Sequence, residues 1–173
     1  LIVGGYDKVF TICKNFRNEG IDRQHNPEFT MLEYYAAYKN YEYHIEITEN
    51  LFNYLRKNLK LKDIIDFNGN KINIKTPFKI IKFRDLILKE TGIDIDKKNN
   101  YELLKKEILS KNLRDVKVNE CKHYGSLLDE LYKRIVRPNI IQPTFLIHHP
   151  IEMMALAKRN EKDKRKINSV QLL

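Results

Sequence analysis

Residues 16–38 read FRNEGIDRQHNPEFTMLEYYAAY, and this stretch decides how the rest of the chain is read. A strand-like run from Lys8 to Phe16 leads into it, and an aromatic-rich strand candidate over residues 29–38 closes it. Between the two stand Gly20, Asp22 and Asn26-Pro27, residue types that turn the backbone or bond to it locally. The pattern predicts a hairpin with a long, charged loop, and loops of that kind are more often functional than decorative. Side chains two apart on a strand share a face. Arg17 and Glu19 therefore lie together on one strand, and Phe29, Met31, Glu33 and Tyr35 lie together on the return strand. Three charges on one sheet face make no core, because buried charges need partners. Two readings follow: a polar ligand site, or an exposed face crossed by surface ion pairs. Asp22, Arg23, His25, Asn26 and Glu28 extend the polar character into the loop.

Upstream, residues 1–3 read as a further strand, set off by the turn pair Gly4-Gly5. Downstream, Ile45, Leu51, Phe52, Leu55 and Leu59 fall near helical spacing and predict a helix over residues 45–59, with Thr48 or Glu49 in its early turns. Asn68-Gly69 between two short apolar runs predicts a tight hairpin closed by Pro77. Helices are expected at residues 83–90 and 101–109, the second capped from Asn99 or Asn100. The clearest helix spans residues 120–136, with Tyr124, Leu127, Leu128, Leu131 and Ile135 on one stripe and Pro138 as its stop. Residues 144–147 read as a short buried strand opening on His148-His149-Pro150. There are no repeats and no glycine-serine linkers, so one domain of α+β class is expected, an antiparallel β-sheet with flanking helices. Its parts are the hairpin (about 8–38), a helical, variable insertion (about 83–120) and a helix–strand–loop (about 120–158).

The bulk composition bounds the function loosely. A chain of 173 residues with 42% hydrophobic and 32% charged residues can bury one real core. Its apolar runs are too short to span a bilayer, and no leader pattern opens it. Cys13 and Cys121 stand far apart without metal-ligand spacing and read as reduced thiols of a cytosolic protein. The net charge of +9 permits a polyanionic partner, but solvated helix faces and a Lys/Asn/Ile-rich composition explain it equally. Both ends fall inside apolar, strand-like stretches, so the chain reads as an internal piece of a longer protein.

Residues 16–38 resemble, across their whole length, motif 2 of the class II lysyl-tRNA synthetases. The lead-in LIVGGYDKVFTICKN is similar to the strand before that motif. Thr76-Pro77-Phe78 with Lys79-Ile80 resembles a later strand, and LLDELYKRIVRPNIIQPTFLIHHPIEMMALAKRN (residues 127–160) resembles the helix–strand–loop that returns to the active site. The resemblance implies a class II catalytic domain in which Arg17 grips the ATP α-phosphate and the amino-acid carboxylate. It gives Glu19 the adenine amino group, His25 and Asn26 the lining of the nucleotide pocket, and Phe29 the stacking on adenine. Glu33 would accept the lysine ε-ammonium and Tyr35 would orient it. The implied reaction forms lysyl-adenylate from L-lysine and ATP and transfers lysine to its tRNA. Mg2+ would have ligands beyond Leu173, an anticodon-binding domain would lie outside the chain, and the whole enzyme would be a cytoplasmic homodimer off the membrane. The isolated chain is expected to be inactive.

The sequence departs from the family where Thr11 and Cys13 replace Glu and Gly, where residues 154–158 read Met-Ala-Leu-Ala-Lys for Ser-Pro-Leu-Ala-Lys, and where His148 replaces Asp. No role is carried onto His148, His149 or Lys158. Three other readings stand beside this one. A paralogue that lysylates elongation factor P usually has Trp where Tyr34 stands; the remaining two are a non-catalytic synthetase-like regulator and a general basic RNA-binding domain.

Overall fold

A computed structural model describes residues 1–18, 20, 25–154 and 156–173. The chain divides into two compact units, Leu1–Asn40 and Tyr41–Leu173.

The first unit is the expected hairpin. Strands β1 (Lys8–Phe16) and β2 (Glu28–Ala36) pair antiparallel from Lys8 opposite Ala36 to Phe16 opposite Glu28. The return strand stops at Ala36, two residues short of the expected end, because Tyr38 takes a left-handed backbone (φ 56°) that no ladder accommodates. Residues 1–3 form no strand. The Gly5 N–H donates to the Ile2 carbonyl and the Tyr6 N–H to the Leu1 carbonyl, so a local turn consumes the groups a strand would need.

The second unit is built on a three-stranded sheet in the order β5 (Lys79–Lys82), β6 (Thr144–Ile147), β7 (Val170–Leu172). All four residues of β6 are buried, which is why Thr-Phe-Leu-Ile reads as a continuous apolar run rather than an alternating one. Phe145 and Ile147 pack with Ile45 and Phe78 under helix α1 (Tyr41–Asn58). Leu146 joins the larger core of Phe83, Ile87, Leu104, Leu127 and Leu131 from helices α2 (Phe83–Thr91), α3 (Tyr101–Ser110) and α4 (Tyr124–Leu131). The sheet thus lies between α1 on one face and α2, α3 and α4 on the other. The α+β class read from the sequence holds, with β6 and β7 antiparallel; the pairing of β5 with β6 is parallel.

Local chemistry sets the element ends. Strands β3 (Ile64–Phe67) and β4 (Asn70–Asn73) meet at Asn68-Gly69, whose φ values of 50° and 76° suit the tight mirror-image turn. Asn100 caps α3 by accepting the Leu103 N–H. Helix α1 begins a turn earlier than its apolar stripe suggested. The helix expected from residue 120 starts instead at Tyr124, after a short 3-10 turn at Val118–Glu120. Its cap is reciprocal: His123 Nδ1 accepts the Ser126 N–H, and Ser126 Oγ accepts the His123 N–H. Past Leu131 the helix widens into a π turn (Tyr132–Val136) and ends at Pro138.

Candidate active site

The register of the first hairpin fixes its two faces. Val9, Thr11, Cys13 and Asn15 stand opposite Tyr35, Glu33, Met31 and Phe29, so all eight share one side. Arg17 continues that side one step beyond β1, its N–H donating to the Pro27 carbonyl at 2.9 Å. The other side carries Phe10, Ile12, Phe16 and Leu32, all exposed, with a surface pair between Lys14 and Glu28 at 2.7 Å. Both sides thus carry charge: Arg17 and Glu33 lie on the first, Lys14 and Glu28 on the second.

Two contacts organise the first face. The Arg17 guanidinium lies over the Phe29 ring, 5.2 Å from its centroid, a cation–π arrangement. At the other end the Tyr35 hydroxyl donates to Glu33 Oε1 at 3.3 Å. Tyr35 is 56% exposed while Glu33, Met31 and Phe29 are half-buried, so the face is an open, shallow surface and not a core. An always-charged planar cation beside an aromatic face suits a phosphate next to a flat heterocycle. A carboxylate with one hydroxyl donor keeps its remaining lone pairs for a cation.

Of the residues singled out from the sequence, Arg17, Phe29, Glu33 and Tyr35 come together on this face. His25 and Asn26 lie exposed in the approach to β2. Glu19, Asp22 and Arg23 lie outside the described residues. Asn15 was not singled out, although period-two alternation back from Arg17 reaches it. Its Oδ1 accepts from the Cys13 thiol at 3.6 Å. Cys13 and Cys121 are both free thiols, and burial pushes the Cys121 thiol up.

The histidine pair sits in the second unit. His148 has a left-handed backbone (φ 57°) and its Nε2 meets the Tyr41 hydroxyl at 3.1 Å. His149 is buried against Phe83, with Nδ1 2.9 Å from Ser169 Oγ. The two rings serve different neighbours. Among the described residues no group of three His, Cys, Asp or Glu could hold an ion. No helix among them is long and apolar enough to cross a membrane.

The family model for class II tRNA synthetases (D, K and N) matches residues 1–172, and the chain belongs to that family. Several lysine–tRNA ligases are among its relatives. The chain is 41% identical over 163 residues to the lysine–tRNA ligase of Mycoplasma mobile, covering 94% of this chain and 32% of that protein. It is 38% identical over 172 residues to the lysine–tRNA ligase of Fervidobacterium nodosum (99% and 33%). To that of Malacoplasma penetrans it is 42% identical over 165 residues (94% and 33%). The chain spans about a third of the length of these curated relatives.

Proposed function

We propose that this chain is the part of a lysine–tRNA ligase that binds lysine and the adenine end of ATP. One observation carries the reading: a single hairpin face holds Arg17 against Phe29 at one end and Tyr35 on Glu33 at the other. The similarity to lysine–tRNA ligases supplies the identity of the amino acid.

In this reading ATP lies along the Arg17–Phe29 end. Phe29 offers its ring to the adenine, and Glu19, His25 and Asn26 contribute polar contacts from the loop. The lysine carboxylate, already ionised, attacks the α-phosphorus. Its new P–O bond forms as the bond to pyrophosphate breaks, giving lysyl-adenylate. Arg17 supplies fixed positive charge to the oxygens that gain charge in that step. No protein nucleophile is required, so positioning and charge stabilisation do the chemistry. A terminal ribose hydroxyl of the tRNA then displaces AMP. Glu33 selects the substrate: a neutral side chain in place of the ε-ammonium would leave its carboxylate unpaired in a partly desolvated site. Tyr35 fixes the direction of that carboxylate.

The proposal extends to the whole protein as a cytoplasmic homodimer. Residues 8–38, about 83–120 and about 120–158 would be the motif 2 hairpin, an insertion and the returning helix–strand–loop of one catalytic domain. Magnesium would travel with the nucleotide, held by groups outside residues 1–173. The decisive experiment is amino-acid-dependent ATP–pyrophosphate exchange by the full-length parent. Exchange stimulated by lysine and by no other standard amino acid supports the reading; absence of lysine-dependent exchange, or stimulation by aspartate or asparagine, overturns it.

A further inference from the structure

The charge of this molecule is unevenly placed. Residues 1–40 hold five Lys/Arg and five Asp/Glu, a net charge of zero, so the whole +9 resides in the second unit. Residues 56–82 alone hold eight Lys/Arg against two Asp/Glu, a net +6 within 27 positions. The structure gathers most of these at one place. Arg56, near the end of α1, pairs with Asp63 just before β3. The Leu61 N–H donates to the Arg56 carbonyl and the Ile74 N–H to the Asp63 carbonyl, both at 2.8–2.9 Å. Asn53 Nδ2 reaches Thr76 Oγ1 at 2.7 Å. The β3–β4 hairpin is thereby tied to the end of the helix.

Lys57, Lys60 and Lys62 at that helix end, with Lys71 and Lys75 on the hairpin side, are all exposed. Among the described residues only Lys75 reaches a carboxylate, Asp63 at 3.9 Å, and Asp63 already holds Arg56. Asp66 stands opposite Lys71 in the ladder without closing an ion pair. The helix dipole accounts for Arg56 and Lys57 in the last turn of α1. It does not account for Lys60, Lys62, Lys71 or Lys75, which lie beyond the helix. Elsewhere the lysines are commonly matched: Lys98 with Glu107, Lys133 with Asp129, Lys158 with Glu161, and Lys166 with Asp96 and Asp163.

We propose that the end of α1 and the β3–β4 hairpin form a basic platform for the phosphate backbone of an RNA stem. Unmatched, exposed ammonium groups on a braced support release counterions when they meet a phosphate ladder, and that release gives salt-dependent affinity. The choice of RNA among polyanions rests on the ligase reading above; the platform itself does not.

The test uses this 173-residue chain and a fluorescein-labelled RNA stem-loop, with binding followed by anisotropy between about 50 and 200 mM salt. Changing Lys57, Lys60, Lys62, Lys71 and Lys75 together to Gln lowers affinity by roughly tenfold or more and flattens the salt dependence. A control variant removes the same charge at the exposed Lys97, Lys106, Lys122, Lys162 and Lys164. It changes affinity by less than about twofold, since charges away from the contact count little once screened. Arginine at all five platform positions keeps binding. Equal losses from the platform and control variants, or the same loss from the arginine variant, overturn the proposal. Tighter binding to a heparin oligosaccharide than to the stem-loop overturns the assignment to RNA. None of these changes touches the hairpin face, so failure of lysine-dependent exchange in the parent is a separate result.

Discussion

Tyr35 donates to Glu33 from two positions away on the same face of β2, at 3.3 Å. That contact occupies one lone pair of the half-buried carboxylate. In the full-length parent, Glu33→Gln should raise the lysine KM on the order of 100-fold, the scale of losing a charged hydrogen-bond partner. Tyr35→Phe should raise it only about fivefold, the scale of one neutral hydrogen bond. The turnover number should move little in either case, because both groups act far from the reacting phosphorus. Steady-state exchange kinetics over a lysine series read this directly. An unchanged lysine KM in Glu33→Gln would reduce the pair to an ordinary surface contact.

Arg17 and Phe29 form the other end of the face, and their roles separate kinetically. Arg17→Ala should lower the rate of adenylate formation by about 100- to 1000-fold, the usual cost of removing a preorganised oxyanion donor. Arg17→Lys should recover little of it, since an ammonium lacks the planar fork and the stacking surface. Phe29→Leu should instead raise the ATP KM, in line with the roughly 1–3 kcal/mol of an aromatic–base stack. Rapid-quench measurement of the first turnover distinguishes the two. If Arg17→Ala weakens only ATP binding, its place in the chemical step is wrong.

How much of this could be read from residues alone depends on the range of the interaction. Asn68-Gly69 announced its turn because the φ values it needs are a property of those two residues. The grouping of Phe29, Glu33 and Tyr35 on one face of the hairpin was legible because strand alternation is local. The parallel pairing of β5 with β6 was not, since it joins Lys79 to Thr144 across an intervening helical region. Residues 1–3 look like a strand by composition, but a strand needs a partner, and the Gly5 turn takes their hydrogen bonds first. The start of α4 was misplaced because its cap is a histidine, whose ring accepts a backbone N–H in one tautomer only. Arg17 over Phe29 is a rotamer choice across two strands, which no spacing rule reports.

Gly125 lies in α4, where alanine would ordinarily be favoured by about 1 kcal/mol. Here a Cβ would stand 2.5 Å from the Glu152 carbonyl oxygen. That atom belongs to the backbone of the turn Ile151–Met153, so a rotamer change cannot clear the clash. Overpacking of this kind costs about 1–3 kcal/mol, enough to outweigh the propensity gain. Gly125→Ala should therefore lower the urea midpoint of the chain. A higher midpoint would mean that the turn after β6 does not press on α4 as described.

Burial makes the two adjacent histidines a source of pH-dependent stability. His149 is held below its ordinary value of 6.5 by burial. His148 is held below the same value by burial first, then by Lys82 and Lys166. Below pH 6.5 the unfolded chain takes up these protons while the folded chain resists, so falling pH favours unfolding. Their contribution is fully present above about pH 6.5, declines as pH falls toward the lowered folded values, and is flat below them. The slope approaches about 1.4 kcal/mol per pH unit for each such group. Urea unfolding at pH 8, 7, 6 and 5 should thus give a level midpoint down to about 7 and a decline beneath it. His149→Gln, whose amide can still reach Ser169, should remove part of that decline and lower the midpoint little at pH 8. A variant with the same pH profile as the parent would show that burial against Phe83 does not hold the His149 ring neutral.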